Sequence, residues 1–370
     1  MTRVAVRPEM LRWARDRARL DPGEIVRLIP QFPAWERGEK QPTLKQLEGF
    51  ARAMRAPIGY FFLAEPPAED LPIPDFRTIA DRPIARPSPD LLDTLYLCQQ
   101  RQEWYRDFAR SMGEPPIEIV GSVQRTADVI GTASQIREAL SFDLDERRAL
   151  PTWTEALRRF IEQVDAAGVL VMVSGVVGSN NRRKLDPDEF RGFALVDDLA
   201  PLVFINGVDT KAAQMFTLAH ELVHVWLGQS ALSDAGARTV PDHAVERWCN
   251  QVAAELLVPL EVLRGEHDPA ADLRTELDRL ARRFKASTLV VLRRIHDAGR
   301  LTHAAYWEAY EAELRRLRNL PKGSGDDFYL TLGARVSKRF ARSGGEHAGR
   351  AVFVHGGVPA AGLQEDGDLP

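Results

Sequence analysis

The chain has 370 residues, 44% of them hydrophobic, and a formal net charge of −4. That is enough for two or three ordinary globular domains, and it gives no overall electrostatic signal for nucleic acid. No run of about 18 apolar residues predicts a membrane span, and the charged start MTRVAVRPEMLRWARDRARL lacks an apolar signal core. The only cysteines, Cys98 and Cys249, are far apart, which fits a reduced cytoplasm better than a disulfide scaffold.

Residues 1–65 carry twelve Lys/Arg against eight Asp/Glu. This is a +4 head on a body that must then hold −8. The pattern predicts a small helical bundle. Met10, Leu11, Ala14 and Ala18 recur at helical spacing between Pro8 and Leu20. Asp21-Pro22-Gly23-Glu24 reads as an N-cap, a proline at the first helical position and an early acid. Thr43 caps a helix with Leu44, Leu47, Phe50, Ala51 and Met54 inward. From Trp35 to Ala53 the sequence follows W-E-x-G-x-x-x-P-T-L-x-x-L-x-x-x-A-x-A and resembles the XRE/Cro-like helix-turn-helix domain. That resemblance implies a recognition helix just before the Trp35-Glu36-Arg37-Gly38 turn, entering a major groove. Gln31, Arg37 and Lys40 are the DNA contacts to test. The span from Leu20 to Trp35 is shorter than usual for the family, and Pro30 and Pro33 fall inside it. Each proline in a helix interior costs about 3 kcal/mol or more, so a stunted reading helix is expected. Two readings stand here: a DNA-binding domain, or a relic of one used for dimerisation or substrate docking.

Residues 66–90 are proline-rich and read as an extended, fairly stiff linker. Its stretch Pro72 to Arg77 carries apolar and ionic anchors that predict packing on a neighbour. Residues 91–165 read as helical, with Leu91, Leu92, Leu95, Tyr96, Trp104 and Phe108 on one amphipathic stretch. Val169 to Val173 is a short strand. The following loop GVVGSNNRRKLD lacks the Lys-Ser/Thr of a phosphate-binding loop. Phe190–Val196 and Leu202–Ile205 add two strands, so the expected fold class is α+β, a small sheet leading into a helix.

That helix holds His220-Glu221-Leu222-Val223-His224. Residues i and i+4 share a helix face, so both imidazoles can reach one ion. Glu221 is not needed as a ligand and is left to accept a proton. This is the H-E-x-x-H arrangement of zinc hydrolases. Phe216, Leu218, Ala219, Leu222, Val223, Val225, Trp226 and Leu227 predict a largely buried helix. Buried polar side chains need partners, and an ion supplies them. A catalytic zinc takes three protein ligands, so one more is expected downstream. The stretch from Pro241 to Pro259 reads as a helix with Asp242 as N-cap and Pro259 marking its end. Glu246 and Glu255, nine residues apart, lie about 180° apart on it, so one alone can face the histidines; we take Glu246. His243 is an alternative ligand, a substrate-side group, or a solvated first-turn residue.

FTLAHELVHVWL followed by ERWCNQVAAELLVP resembles the ImmA/IrrE family of bacterial metallopeptidases. Their pattern runs F-T-x-A-H-E-x-x-H and then E-x-x-A-N-x-F-A-A-x-L-L-x-P. Cys249 stands where that family has Ala, and Val252 where it has Phe. Matched position by position, the resemblance implies Zn2+ held by His220, His224 and Glu246, with Glu221 catalytic. It also implies a protein substrate, a repressor of helix-turn-helix type, cut in stress or mobile-element control. Domain boundaries follow: 1–65 the helix-turn-helix domain, 66–90 the linker, 91–165 a helical region, 166–265 the metallopeptidase core, 266–340 a helical C-terminal region and 341–370 a disordered tail.

The function expected is a cytoplasmic zinc-dependent endopeptidase, with Phe190–Val196 as an exposed sheet edge holding substrate as an added strand. The alternative is a DNA-binding regulator or antitoxin-like protein, with DNA and a toxin encoded nearby as partners. In that reading the zinc site is sensory or structural.

Overall fold

The computed structural model describes residues 3–69, 71–74, 78–79, 82–83, 87–233, 244–319, 337 and 339–340. Asp242, His243 and the 341–370 tail lie outside the described residues.

The N-terminal bundle runs α1 (Pro8–Ala18), α2 (Pro22–Leu28), α3 (Phe32–Glu36), α4 (Leu44–Ala53) and a 3-10 helix, Ile58–Phe62. Local chemistry sets its boundaries. The Asp21 side chain accepts from the Gly23 N–H, and Thr43 forms a reciprocal capping box with Gln46. Met10, Leu11, Trp35, Leu47 and Phe50 close one small core. Leu44, expected inward, is instead 49% exposed at the first position of α4. α3 has five residues, with Pro33 in its first turn.

A two-stranded antiparallel ladder, β1 (Thr78–Ile79) with β2 (Arg82–Pro83), precedes α5 (Pro89–Met112). Then come α6 (Val129–Ala139), α7 (Leu144–Ala149) and α8 (Trp153–Ala166). The sheet strands are β3 (Leu170–Ser174), β4 (Gly192–Leu195) and β5 (Leu202–Asn206), followed by α9 (Lys211–Leu227) and β6 (Ala231–Ser233). The chain continues through α10 (Ala244–Leu257), α11 (Leu260–Glu266), α12 (Leu273–Phe284), α13 (Thr288–Asp297) and α14 (His303–Asn319).

The four strands lie in the order β3-β5-β4-β6, with β3 parallel to β5 and the other pairs antiparallel. Alternation sorts their side chains into two cores. Leu170, Met172, Phe193, Leu202 and Phe204 face α5 through Leu91, Leu95, Cys98 and Tyr105. Val171, Ala194, Val203 and Ile205 face α8 and α9, with α6 and α10 behind. Ile73, from the proline-rich stretch, is buried with the α5 side of the sheet.

The strand around Phe190–Val196 is not an exposed edge, because β4 lies between β5 and β6. The three residues of β6 were too short a signal to read from sequence. They pair Gly192 with Ser233 and Phe193 with Leu232. The far side of β6 is engaged in turn, since the Leu232 N–H donates to the Pro74 carbonyl at 3.0 Å.

The N-terminal bundle meets the rest of the chain through ions. Arg55 contacts Asp90 at 2.6 Å, and Arg183 reaches the same carboxylate. Arg19 approaches the buried Glu189 at 3.2 Å. Among the described residues no helix is long and apolar enough to cross a membrane.

Candidate metal centre

α9 is capped at its start by Thr210, whose side chain accepts from the Ala213 N–H. It is stopped by Gly228 in the left-handed conformation (φ +70°). From Gln214 to Trp226 it is buried except at the half-buried Phe216, so the polar residues of that stretch have no water to fall back on.

His220, Glu221 and His224 are each 0% exposed, and Glu246, in the first turn of α10, is 3% exposed. His220 Nε2 stands 3.1 Å from one Glu246 oxygen, and His224 Nε2 stands 3.0 Å from the other. The two Nε2 atoms are 3.2 Å apart. Among the described residues these three side chains form the group whose donor atoms converge closely enough to hold a metal ion. Ligands about 2.0–2.1 Å from a tetrahedral zinc stand about 3.3 Å from one another. The observed spacings therefore fit a zinc-sized ion with little movement, and the His2Glu donor set suits its chemistry.

Electrostatics bind the trio together. Burial pulls the His220 imidazole down, but the Glu246 carboxylate outweighs it and holds His220 above its ordinary value. His224 is lowered, mainly by burial, despite its bond to Glu246. Burial alone would push Glu246 up, yet the two imidazoles hold it well below the usual carboxylate range.

Glu255, half a helical circumference from Glu246, turns to the opposite side of α10. There it forms a buried ion pair with Arg294, which also donates to the Val258 carbonyl. Cys249 is buried, and its thiol is pushed well above its ordinary value by burial and then by the neighbouring Glu246 and Glu221 charges. It stays a protonated thiol.

Sequence reading passed over Gly192. A Cβ there would stand 2.5 Å from Thr217 Cγ2, 2.8 Å from the Phe204 carbonyl oxygen and 3.1 Å from Glu221 Oε1. Only a hydrogen fits, so the motif helix lies directly against β4 and Glu221 is held beneath that strand. Gly192 was visible as the glycine of Phe190-Arg191-Gly192-Phe193, but its role needs the α9 contact.

The candidate DNA contacts lie elsewhere. Gln31, Arg37 and Lys40 are exposed on the N-terminal bundle. Gln31 accepts from the Gln46 side chain at 2.7 Å, and Arg37 is paired with Glu39 at 2.6 Å.

The sheet thus packs on a buried helix whose two histidines converge with a glutamate from the next helix. Residues 164–296 match the model of the Peptidase_M78 family, described as the IrrE N-terminal-like domain. The match supports placing this part of the chain with the ImmA/IrrE metallopeptidases. No curated protein matches the chain.

Proposed function

We propose that the chain is a zinc-dependent endopeptidase in which His220, His224 and Glu246 hold the ion and Glu221 is the proton acceptor and donor. The convergence of three buried side chains, with ligand atoms 3.0 to 3.2 Å apart, carries this reading. An ion bound there would supply Lewis acidity, polarising a peptide carbonyl and acidifying a water. The protein's own part is proton management. Glu221, adjacent to the first histidine but outside the ligand set, takes the proton of the attacking water and returns it to the departing amine. Because Gly192 has no side chain, the Glu221 carboxylate can lie close under β4. Burial of the four side chains excludes bulk water that would weaken these interactions.

The substrate we propose is a protein of the repressor type implied by the ImmA/IrrE resemblance, cut in the cytoplasm. A Glu221→Gln variant keeps the shape of the site and removes the base. It is expected to bind zinc stoichiometrically and to lose cleavage of a labelled unfolded protein by about 10²–10⁴ in kcat. Full cleavage by that variant contradicts the mechanism.

The second reading, a DNA-binding regulator or antitoxin-like partner of a nearby toxin, rests on the N-terminal bundle with its surplus of basic residues. α3 offers five residues for a groove, and two of the three candidate contacts are tied to neighbours. Sequence-specific binding to its own promoter DNA at about 150 mM salt, unaffected by zinc removal, would favour this reading.

A further inference from the structure

An imidazole that ligates a metal through one nitrogen is usually oriented through the other. His220 commits Nε2 to the site, facing Glu246 and His224. Its Nδ1 is buried and makes no hydrogen bond within ordinary limits. Asn250 lies four residues beyond Glu246 on α10, on the same helix face. Its Oδ1 is likewise buried without a hydrogen bond. Glu246, one turn before Asn250 on that face, stands 3.1 Å from the His220 ring, so the Asn250 amide lies on the side of α10 turned towards His220.

Two unsatisfied buried atoms of opposite character in adjacent side chains make a pair awaiting closure. Both lie between α9 and α10, beside the donor cluster. We propose that Asn250 is a positioning residue. Its amide oxygen accepts the Nδ1–H of His220, fixing the tautomer in which the Nε2 lone pair points at the ion. α10 would then contribute twice to the centre, with Glu246 as ligand and, one turn on, Asn250 as orienter of a ligand on α9. A neutral amide orients the ring without adding charge to a site that already holds Glu246 and Glu221. A carboxylate at position 250 would make the imidazole more basic and the ion less acidic.

This inference rests on the metal-site reading, and its test separates the two. Zinc affinity would be measured by competition with a chromophoric chelator for the full-length chain and for Asn250→Leu and Asn250→Asp. Metal-free melting temperatures would be recorded alongside. Asn250→Leu keeps similar volume and loses the acceptor, so a 10–100-fold loss of zinc affinity is expected. Asn250→Asp keeps an acceptor and is expected to retain or exceed the parent affinity while lowering turnover. Nitrogen-15 NMR of the zinc-loaded parent should show the His220 proton on Nδ1. Equal affinity in Asn250→Leu, equal losses in both variants, or an unprotonated Nδ1 would overturn the assignment to Asn250. A parent chain that binds no zinc would overturn the metal site itself.

Discussion

The α9–α10 pair and the N-terminal bundle both place polar residues where sequence patterns pointed, but under opposite conditions. In the pair, His220, His224 and Glu246 sit where water cannot reach, so each must be answered by another group, and their donor atoms converge on one point. In the bundle, Gln31, Arg37 and Lys40 are exposed, and Gln31 and Arg37 are satisfied by Gln46 and Glu39. Solvated groups need no further partner. Burial turns a motif into a chemical statement, whereas exposure leaves it a statement about fold.

The sharpest way to break that contrast lies on α10 itself, which carries both kinds of glutamate. Removing Glu255 takes away the nearest counter-charge of the buried Arg294 and leaves it only the longer contact to Asp297 at 3.5 Å. Glu255→Ala should therefore cost about 3–5 kcal/mol of stability, read as a lowered chemical-denaturation midpoint, with zinc stoichiometry unchanged in the fraction that remains folded. If Glu255→Ala lost the ion while the fold was intact, the division of labour on α10 would be wrong. Gly192→Ala should be next in size. The added methyl meets Thr217 and a strand carbonyl below contact distance, an overpacking cost of about 1–3 kcal/mol. A Tm equal to the parent's would mean that β4 and α9 have room to part.

Smaller still is the proton linkage of the centre. His220 is raised from its ordinary 6.5, so its contribution to metal-free stability is full below pH 6.5 and fades as pH rises through its folded value. Glu246 is lowered from 4.5, so its contribution is full above pH 4.5 and fades as pH falls towards its folded value. Metal-free protein should therefore gain most from this cluster between about pH 4.5 and 6.5. Zinc must displace the His220 proton. Calorimetry in buffers of different ionisation enthalpy should record about one proton released per ion near pH 6 and fewer at higher pH. No release at pH 6 would mean that His220 is already neutral.

How much of this was legible in the sequence follows the same division. The i, i+4 histidines and their apolar flanks pointed to a buried helix, and helical geometry left one of Glu246 and Glu255 to face it; the choice of Glu246 is what the family resemblance implied. The caps at Asp21 and Thr43 were local and readable. β6 was not, because three residues carry no periodicity, and missing it made Phe190–Val196 look like an edge. The inward placement of Leu44 was overread from spacing alone. The close approach at Gly192 and the facing of Asn250 and His220 depend on contacts between segments distant in the chain, which no local pattern encodes. The segment between β6 and α10, residues 234–243 and so His243, lies outside the described residues.

Metal analysis of protein purified without added ions tests the central claim most directly. The chain should carry one zinc per molecule, His220→Ala, His224→Ala and Glu246→Ala should each lose it, and Glu255→Ala should keep it. A parent chain free of metal, or a Glu246→Ala variant that retains a full equivalent at parent affinity, would contradict a centre built from α9 and α10.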